Sequence, residues 1–292
     1  MGEQKRLSAY KLLVEERLEI LLPSADSAPQ PLHKAMRHSA LAPGKRLRPL
    51  LCLASCEAVG GAADSALNAA CALEYVHCFS LIHDDLPAID NDDLRRGRPT
   101  CHKVYGEAVA ILAGDALFAL AFTALAESGA SPQAIAEGTR LLAKASGTPG
   151  LVAGEVLDIL SEGESPNLAL VERIHDWKTG SLIAASCAMG GAFGGADRTT
   201  CERLYEAGAL IGRAFQIQDD ILNETSTAEE LGKAVGSDRE RSKQTYPAII
   251  GLEESRQQAS ALIGKAHAIL RSLPGDVSLL LELADFSTAR SS

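Results

Sequence analysis

The chain has 292 residues, 46% of them hydrophobic, with a net charge of −10 and a pI near 5.2. That length holds one large domain or two small ones, and the acidic balance lacks the basic footprint of a nucleic-acid binder. The seven cysteines form no CxxC pair, which argues against a disulfide framework and for a reducing compartment.

The first segment, "MGEQKRLSAYKLLVEERLEILL", is charged and amphipathic and lacks the apolar core of a signal peptide, so a cytoplasmic protein is expected. Abundant Ala and Leu and few aromatics predict helices throughout, cut by breakers such as Pro23 to Pro31, Gly60-Gly61, Gly97 to Pro99, Gly147 to Gly150 and Gly190 to Gly195. None of these is long enough for an interdomain linker. The expectation is one all-α domain over 1–292, with roughly ten helices of ordinary length.

The cations of "GKRLRP" come first: Lys45, Arg46 and Arg48 before Pro49. In "EYVHCFSLIHDD", His77 and Asp84 are seven apart and share one helical face, with Ser80 between them. Pro87 disfavours helix at Leu86, so the chain must turn and Asp90 can fold back towards Asp84. Anions at a helix C-terminus are poorly placed as caps, so this cluster reads as a divalent-cation cage. Asp92 and Asp93 read as turn and capping residues leading into Arg95 and Arg96.

Residues 108–126, "AVAILAGDALFALAFTALA", are long enough to span a bilayer. An aspartate at mid-span costs about 2.5–3.5 kcal/mol, so a buried helix is expected at Asp115 and no membrane span. "SPQA" at 131 and "SPNLALVE" at 165 read as helix starts, with Ser at N-cap and Pro at N1. Further on, "WKTG" contributes Lys178 and Thr179. In "AFQIQDDILNE", Asp219 and Asp220 sit in an apolar helical setting with Gln216 one turn earlier. Lys233 and Lys243 follow in "LGK" and "RSKQTYP". Two carboxylate clusters suit Mg²⁺, which keeps waters and binds with a substrate phosphate. The scattered cations then suggest a phosphorylated ligand. No Walker A loop and no strand-borne GxGxxG is present.

The ordered set "GKRLRP", "SLIHDDLPAIDNDDLRRGRPTCHKVYGEA", "LAGDAL", "HDWKTGSLI", "FQIQDDIL", "LGK" and "KQTYP" resembles the trans-isoprenyl diphosphate synthases, over about residues 40 to 250. The resemblance implies an all-α bundle around a deep central cavity, usually homodimeric. It implies Mg²⁺-dependent condensation of isopentenyl diphosphate with an allylic diphosphate. Asp84, Asp85 and Asp90 match the first aspartate-rich motif, and Asp219 and Asp220 the second, as metal ligands. Arg95, Lys178, Thr179, Gln216, Lys233 and Lys243 are implied to hold the allylic diphosphate. Lys45, Arg48, His77 and Arg96 are implied to hold isopentenyl diphosphate. In such a protein the compartment is cytoplasmic, or the plastid stroma if a transit peptide was removed.

This sequence departs from the family pattern at two places. The third aspartate of the second motif is Asn223, and Glu155 stands in "AGEVLD" where the family has "GQ". Either both departures are tolerated drift, or Glu155, three residues before Asp158 on the same face, partly compensates near the metals; the departures also keep open a weakly active or non-catalytic partner subunit. In the family, residues four and five before the first Asp floor the product pocket. Here they are Ser80 and bulky Phe79, which favours a C15 farnesyl product, with C20 geranylgeranyl as the alternative. An HD-type phosphohydrolase using His83-Asp84 leaves the second aspartate pair and the cations unexplained. Terpene cyclases usually lack a complete isopentenyl-binding set.

Overall fold

The computed structural model describes residues 2–165, 167–225 and 245–288. The helices in chain order are α1 (Glu3–Leu21), α2 (Gln30–Ala40), α3 (Leu47–Ala58), α4 (Leu67–Asp84), α5 (Cys101–Tyr105), α6 (Glu107–Ala126), α7 (Pro132–Ser146) and α8 (Leu151–Leu160). They continue with α9 (Leu168–Ile174), a π-helical turn (His175–Gly180), α10 (Ser181–Phe193), α11 (Arg198–Thr225), α12 (Tyr246–Ile250), α13 (Leu252–Leu270) and α14 (Ser278–Thr288). A 3₁₀ turn, Ala63–Ala66, leads into α4. The fold is all-α, as expected.

The bundle is built around α10. Its sequence, SLIAASCAMGGAF, is apolar or small on every side, and nearly every residue is buried. A helix apolar all round must be surrounded, and α10 packs on α3, α7 and α11. The close approach to α3 depends on Gly190: a Cβ there would stand 2.1 Å from the Cys52 carbonyl oxygen. α4 is also mostly buried and packs along α6. All seven cysteines are free and buried, behaving as small hydrophobes.

Three local expectations meet different outcomes. Ser131 caps α7 as predicted, accepting from the Ala134 N–H at 3.2 Å. At α9 the cap is Asn167, whose side-chain oxygen accepts from the Leu170 N–H, so the helix starts later than "SPNLALVE" suggests. Residues 94–99 form a two-stranded hairpin, which the helix pattern did not announce. Its two turn residues, Arg96 and Gly97, both have positive φ, the geometry that matches strand twist in a two-residue loop.

α6 corrects another expectation. It is not buried: only 39% of its apolar window lies inside the structure, against 78% for the segment containing α4. Both are long and apolar enough to cross a membrane by length and composition. One face of α6 packs on α4 and α2. Ile111 and Leu112 on it are 43% and 57% exposed, and Asp115 points outward.

Candidate active site

α4 ends at Asp84 because Pro87 blocks continuation, and the chain then reverses. The Asp90 N–H donates to the Asp84 carbonyl at 2.8 Å, so Asp90 does fold back beside Asp84. Below this turn lies a cavity of about 580 Å³. Its walls carry Lys45, Arg48, His77, Arg96, Asp84 and Asp219, along with Ser80, Glu155, Lys178, Thr179 and Gln216. Residues up to 176 positions apart in sequence, from Pro43 to Asp219, thus converge from α3, α4, α8, the π-turn and α11.

The two members of each aspartate pair meet different surroundings. Asp84 faces the cavity, but Asp85 is 3% exposed and accepts from Arg95 Nε at 2.6 Å. Arg95 also reaches Asp92 at 3.5 Å and, with Asp85, lines a neighbouring smaller pocket and not the main cavity. Likewise Asp219 lines the cavity, whereas Asp220 is 6% exposed and accepts from the Tyr246 N–H at 3.0 Å. Asp93 pairs with Lys103 at 2.7 Å, which suits its reading as a turn residue. Asn223 is buried on α11. Lys233 and Lys243 lie outside the described residues.

Lys178 is held between two carboxylates, Glu155 and Asp158, each 2.7 Å from its Nζ. Burial pulls the lysine towards its neutral form, but Asp158 and Glu155 outweigh it, and its pKa stands well above the ordinary value. Thr179 donates to Gln216 Oε1 at 2.8 Å. On the other wall, burial and then Arg48 and Arg96 press His77 well below its usual pKa, so it is neutral. Arg48 is brought down to about 10 by burial and stays cationic at neutral pH. Among the described residues its buried Nε has no hydrogen-bond partner. Buried polar groups are normally satisfied, and an anionic ligand would satisfy this one. The Arg96 guanidinium donates to the Pro43 carbonyl at 2.8 Å, so its reach is fixed by the opposite loop.

The donor chemistry fits a divalent cation. Burial, then the charge of Glu155, push the Asp84 carboxyl up to about 7; a cation beside it would offset that penalty. Among the described residues no three His, Cys, Asp or Glu close into a metal cage. Asp84 and Asp219 both line an open cavity, and carboxylates with room left for water and phosphate oxygens are the setting Mg²⁺ prefers. His83 is turned away: its Nε2 lies 3.1 Å from the Ile111 carbonyl oxygen on α6. That leaves the His-Asp phosphohydrolase pattern without its histidine.

Phe79 lies apart from the residues that line this cavity. Its ring packs on Phe118 and His83, with centroids 5.1 and 4.8 Å away, and it is not among the cavity-lining residues. Sequence reasoning missed the group behind Lys178 and Asp219: Asp176, His175, Glu172, Arg213 and Tyr246. Spacing along α11 offered a signal, since Arg213, Gln216 and Asp220 recur at three and four residues.

Comparison with known proteins adds the following. Residues 29–273 match the family model described as polyprenyl synthetase. Geranylgeranyl pyrophosphate synthase 4 of Arabidopsis thaliana is 48% identical over 266 residues, covering 90% of this chain and 72% of its own length. The chloroplastic heterodimeric geranylgeranyl pyrophosphate synthase large subunit 1 of the same plant is 48% identical over 286 residues, covering 95% and 76%. The crystal structure of an FPP/GFPP synthase from Zymomonas mobilis superposes with a TM-score of 0.87 at 35% identity, covering 98% of this chain and 99% of the other.

Proposed function

The chain belongs to the polyprenyl synthetase family and is a trans-prenyltransferase; within that family we propose that it condenses isopentenyl diphosphate with an allylic diphosphate up to the C20 geranylgeranyl product. The observation that carries the reading is the single cavity in which Asp84 and Asp219 meet Lys178 on one side and Lys45, Arg48, His77 and Arg96 on the other.

In this reading Asp84, Asp90 and Asp219 hold Mg²⁺, which supplies positive charge to the departing diphosphate. Lys178, Thr179 and Gln216 bind and orient the allylic diphosphate, and Lys178 stabilises charge as the C–O bond ionises. Arg48 and Arg96 clamp isopentenyl diphosphate, with neutral His77 as a hydrogen-bond partner. This sets the isopentenyl double bond against the allylic carbocation. Leu47, Leu81, Leu151 and Phe215 line the same cavity and keep water from the cation. The proton released after bond formation passes to the departing diphosphate.

Chain length is the finer part. The geranylgeranyl names of the two plant relatives support C20. A C15 product remains the second reading, on the bulk of Phe79 alone, and the engagement of its ring by Phe118 weakens it. Incubation with Mg²⁺, isopentenyl diphosphate and each allylic primer, followed by chromatography, is expected to end at C20. A C15 end point that lengthens in Phe79→Ala would reverse the choice, and no condensation at all would sink the catalytic reading in favour of a partner subunit.

Glu155 supplies a carboxylate to a site whose second motif ends in Asn223. Its removal in Glu155→Gln should raise the Mg²⁺ concentration for half-maximal rate several-fold, on the scale of partners that orient metal ligands; wild-type Mg²⁺ dependence would refute the compensation. The chain is proposed to act as a homodimer. In support, α6 leaves Ile111 and Leu112 uncovered and α8 leaves Val156, Ile159 and Leu160 uncovered; one relative is named as a subunit of a heterodimer, so pairing with an unlike chain is the competing arrangement. That relative's chloroplastic name supports a plastid setting over the cytoplasm.

A further inference from the structure

The π-turn His175–Gly180 is tied to one face of α11 by two hydrogen-bonded contacts, with a third, longer contact at His175. Arg213 donates to Asp176 through Nε and Nη2, at 2.8 and 2.5 Å. Thr179 donates to Gln216 at 2.8 Å. His175 Nε2 lies 3.4 Å from Asp220 Oδ2. Arg213, Gln216 and Asp220 fall three and four residues apart, so they share a helical face. Asp219, one residue earlier than Asp220, is turned into the cavity.

The same Asp220 oxygen accepts the Tyr246 N–H at 3.0 Å, a charge-assisted bond. The Tyr246 ring stacks on His175 with centroids 5.3 Å apart and an interplanar angle of 18°. Its hydroxyl donates to Glu172 Oε1 at 2.9 Å. His175, Asp220 and Tyr246 are 5%, 6% and 0% exposed.

We propose that Asp220 is a positioning residue and not a metal ligand: its carboxylate locks His175 of the π-turn and the backbone of Tyr246 onto α11, so that Lys178 and Thr179 face Asp219 across the cavity. The role in catalysis rests on the reading that Lys178 and Thr179 hold the allylic diphosphate. The lock itself does not, and it has its own reporter. Trp177, the single tryptophan of the chain, sits in the π-turn between Asp176 and Lys178.

The test uses the full chain. Asp220→Asn keeps an oxygen for the Tyr246 N–H. It should retain the wild-type Trp177 emission, and calorimetric Mg²⁺ binding with inorganic diphosphate should stay within about twofold. Asp220→Ala should shift Trp177 emission and raise its acrylamide quenching. It should also raise the KM for the allylic substrate roughly tenfold or more, the scale for residues that orient ligating groups, with the KM for isopentenyl diphosphate little changed. If Asp220→Ala does not fold, His175→Gln should give the same emission shift and the same KM split. Asp220→Asn losing Mg²⁺ affinity as severely as Asp219→Asn overturns the proposal in favour of a ligand. An unmoved Trp177 and an unmoved allylic KM in the folded Ala or Gln variant overturn it as well. Lys178→Ala judges the underlying reading separately: an unchanged allylic KM there refutes the diphosphate role while the Trp177 result still decides the lock.

Discussion

Asp84 lines the cavity, and its environment works against its own charge. Burial and Glu155 raise its carboxyl to about 7 from an ordinary 3.8. Between those values the native state binds a proton that the unfolded chain releases. Stability of the metal-free protein therefore falls as pH rises through that window. Asp84→Asn removes the penalty. In EDTA at pH 8 its thermal midpoint should exceed wild type by a few degrees, about 2–4 °C per kcal/mol recovered, and the gain should shrink by pH 5. Scanning calorimetry at the two pH values checks this, and a variant no more stable than wild type at pH 8 would refute it. The same variant should lose turnover by roughly 10²-fold or more, as when one preorganised charge is removed. The candidate residues themselves were legible, because buried carboxylates in apolar helices demand a partner. Which carboxylate faces the cavity was not legible: Arg95 takes Asp85 and Tyr246 takes Asp220 through contacts that no local pattern announces.

At the scale of elements, the decisive contact is α8 against the π-turn. Gly154 allows it: a Cβ there would lie 2.2 Å from the Lys178 backbone nitrogen and 2.6 Å from its Cα. Neither atom can swing aside. This approach is what sets Glu155 beside Lys178. Gly154→Ala should force α8 away, at roughly 1–3 kcal/mol of overpacking. A thermal melt should show a midpoint several degrees lower, with the allylic KM raised. A wild-type melt would mean that the helices separate without cost. Helix positions were readable from periodicity and breakers, and the Ser131 cap from its Ser-Pro signal. The π-turn was not readable, since HDWKTG fits an ordinary helix and its contacts with α11 come from residues 37 positions away. The hairpin at residues 94–99 is equally local, yet it was hidden because its turn puts Arg96 at a φ of 54°, which few non-glycine residues adopt.

For the whole molecule, the uncovered apolar side chains of α6 and α8 set the expectation. Leu160 and Leu112 are 69% and 57% exposed, and an apolar surface of that kind favours association. Sedimentation velocity should give a dimer for the wild type, and Leu112→Glu with Val156→Glu should shift it to a monomer that keeps its helical content. A monomeric wild type would remove the homodimer. The sequence by itself determined the helical class, most of the breaks between helices and the candidate residues for holding diphosphates and a divalent cation. Those follow from hydrophobic period, breakers and side-chain chemistry, all of which are local. Tertiary structure alone decided that each aspartate pair divides, that Phe79 turns to Phe118, and that α6 lies at the surface. Adjacent residues on a helix point about 100° apart, so one member of a pair can face the cavity while the other meets a neighbouring element. Which member does is set by neighbours that arrive from α8, α12 and the hairpin only once the chain has folded.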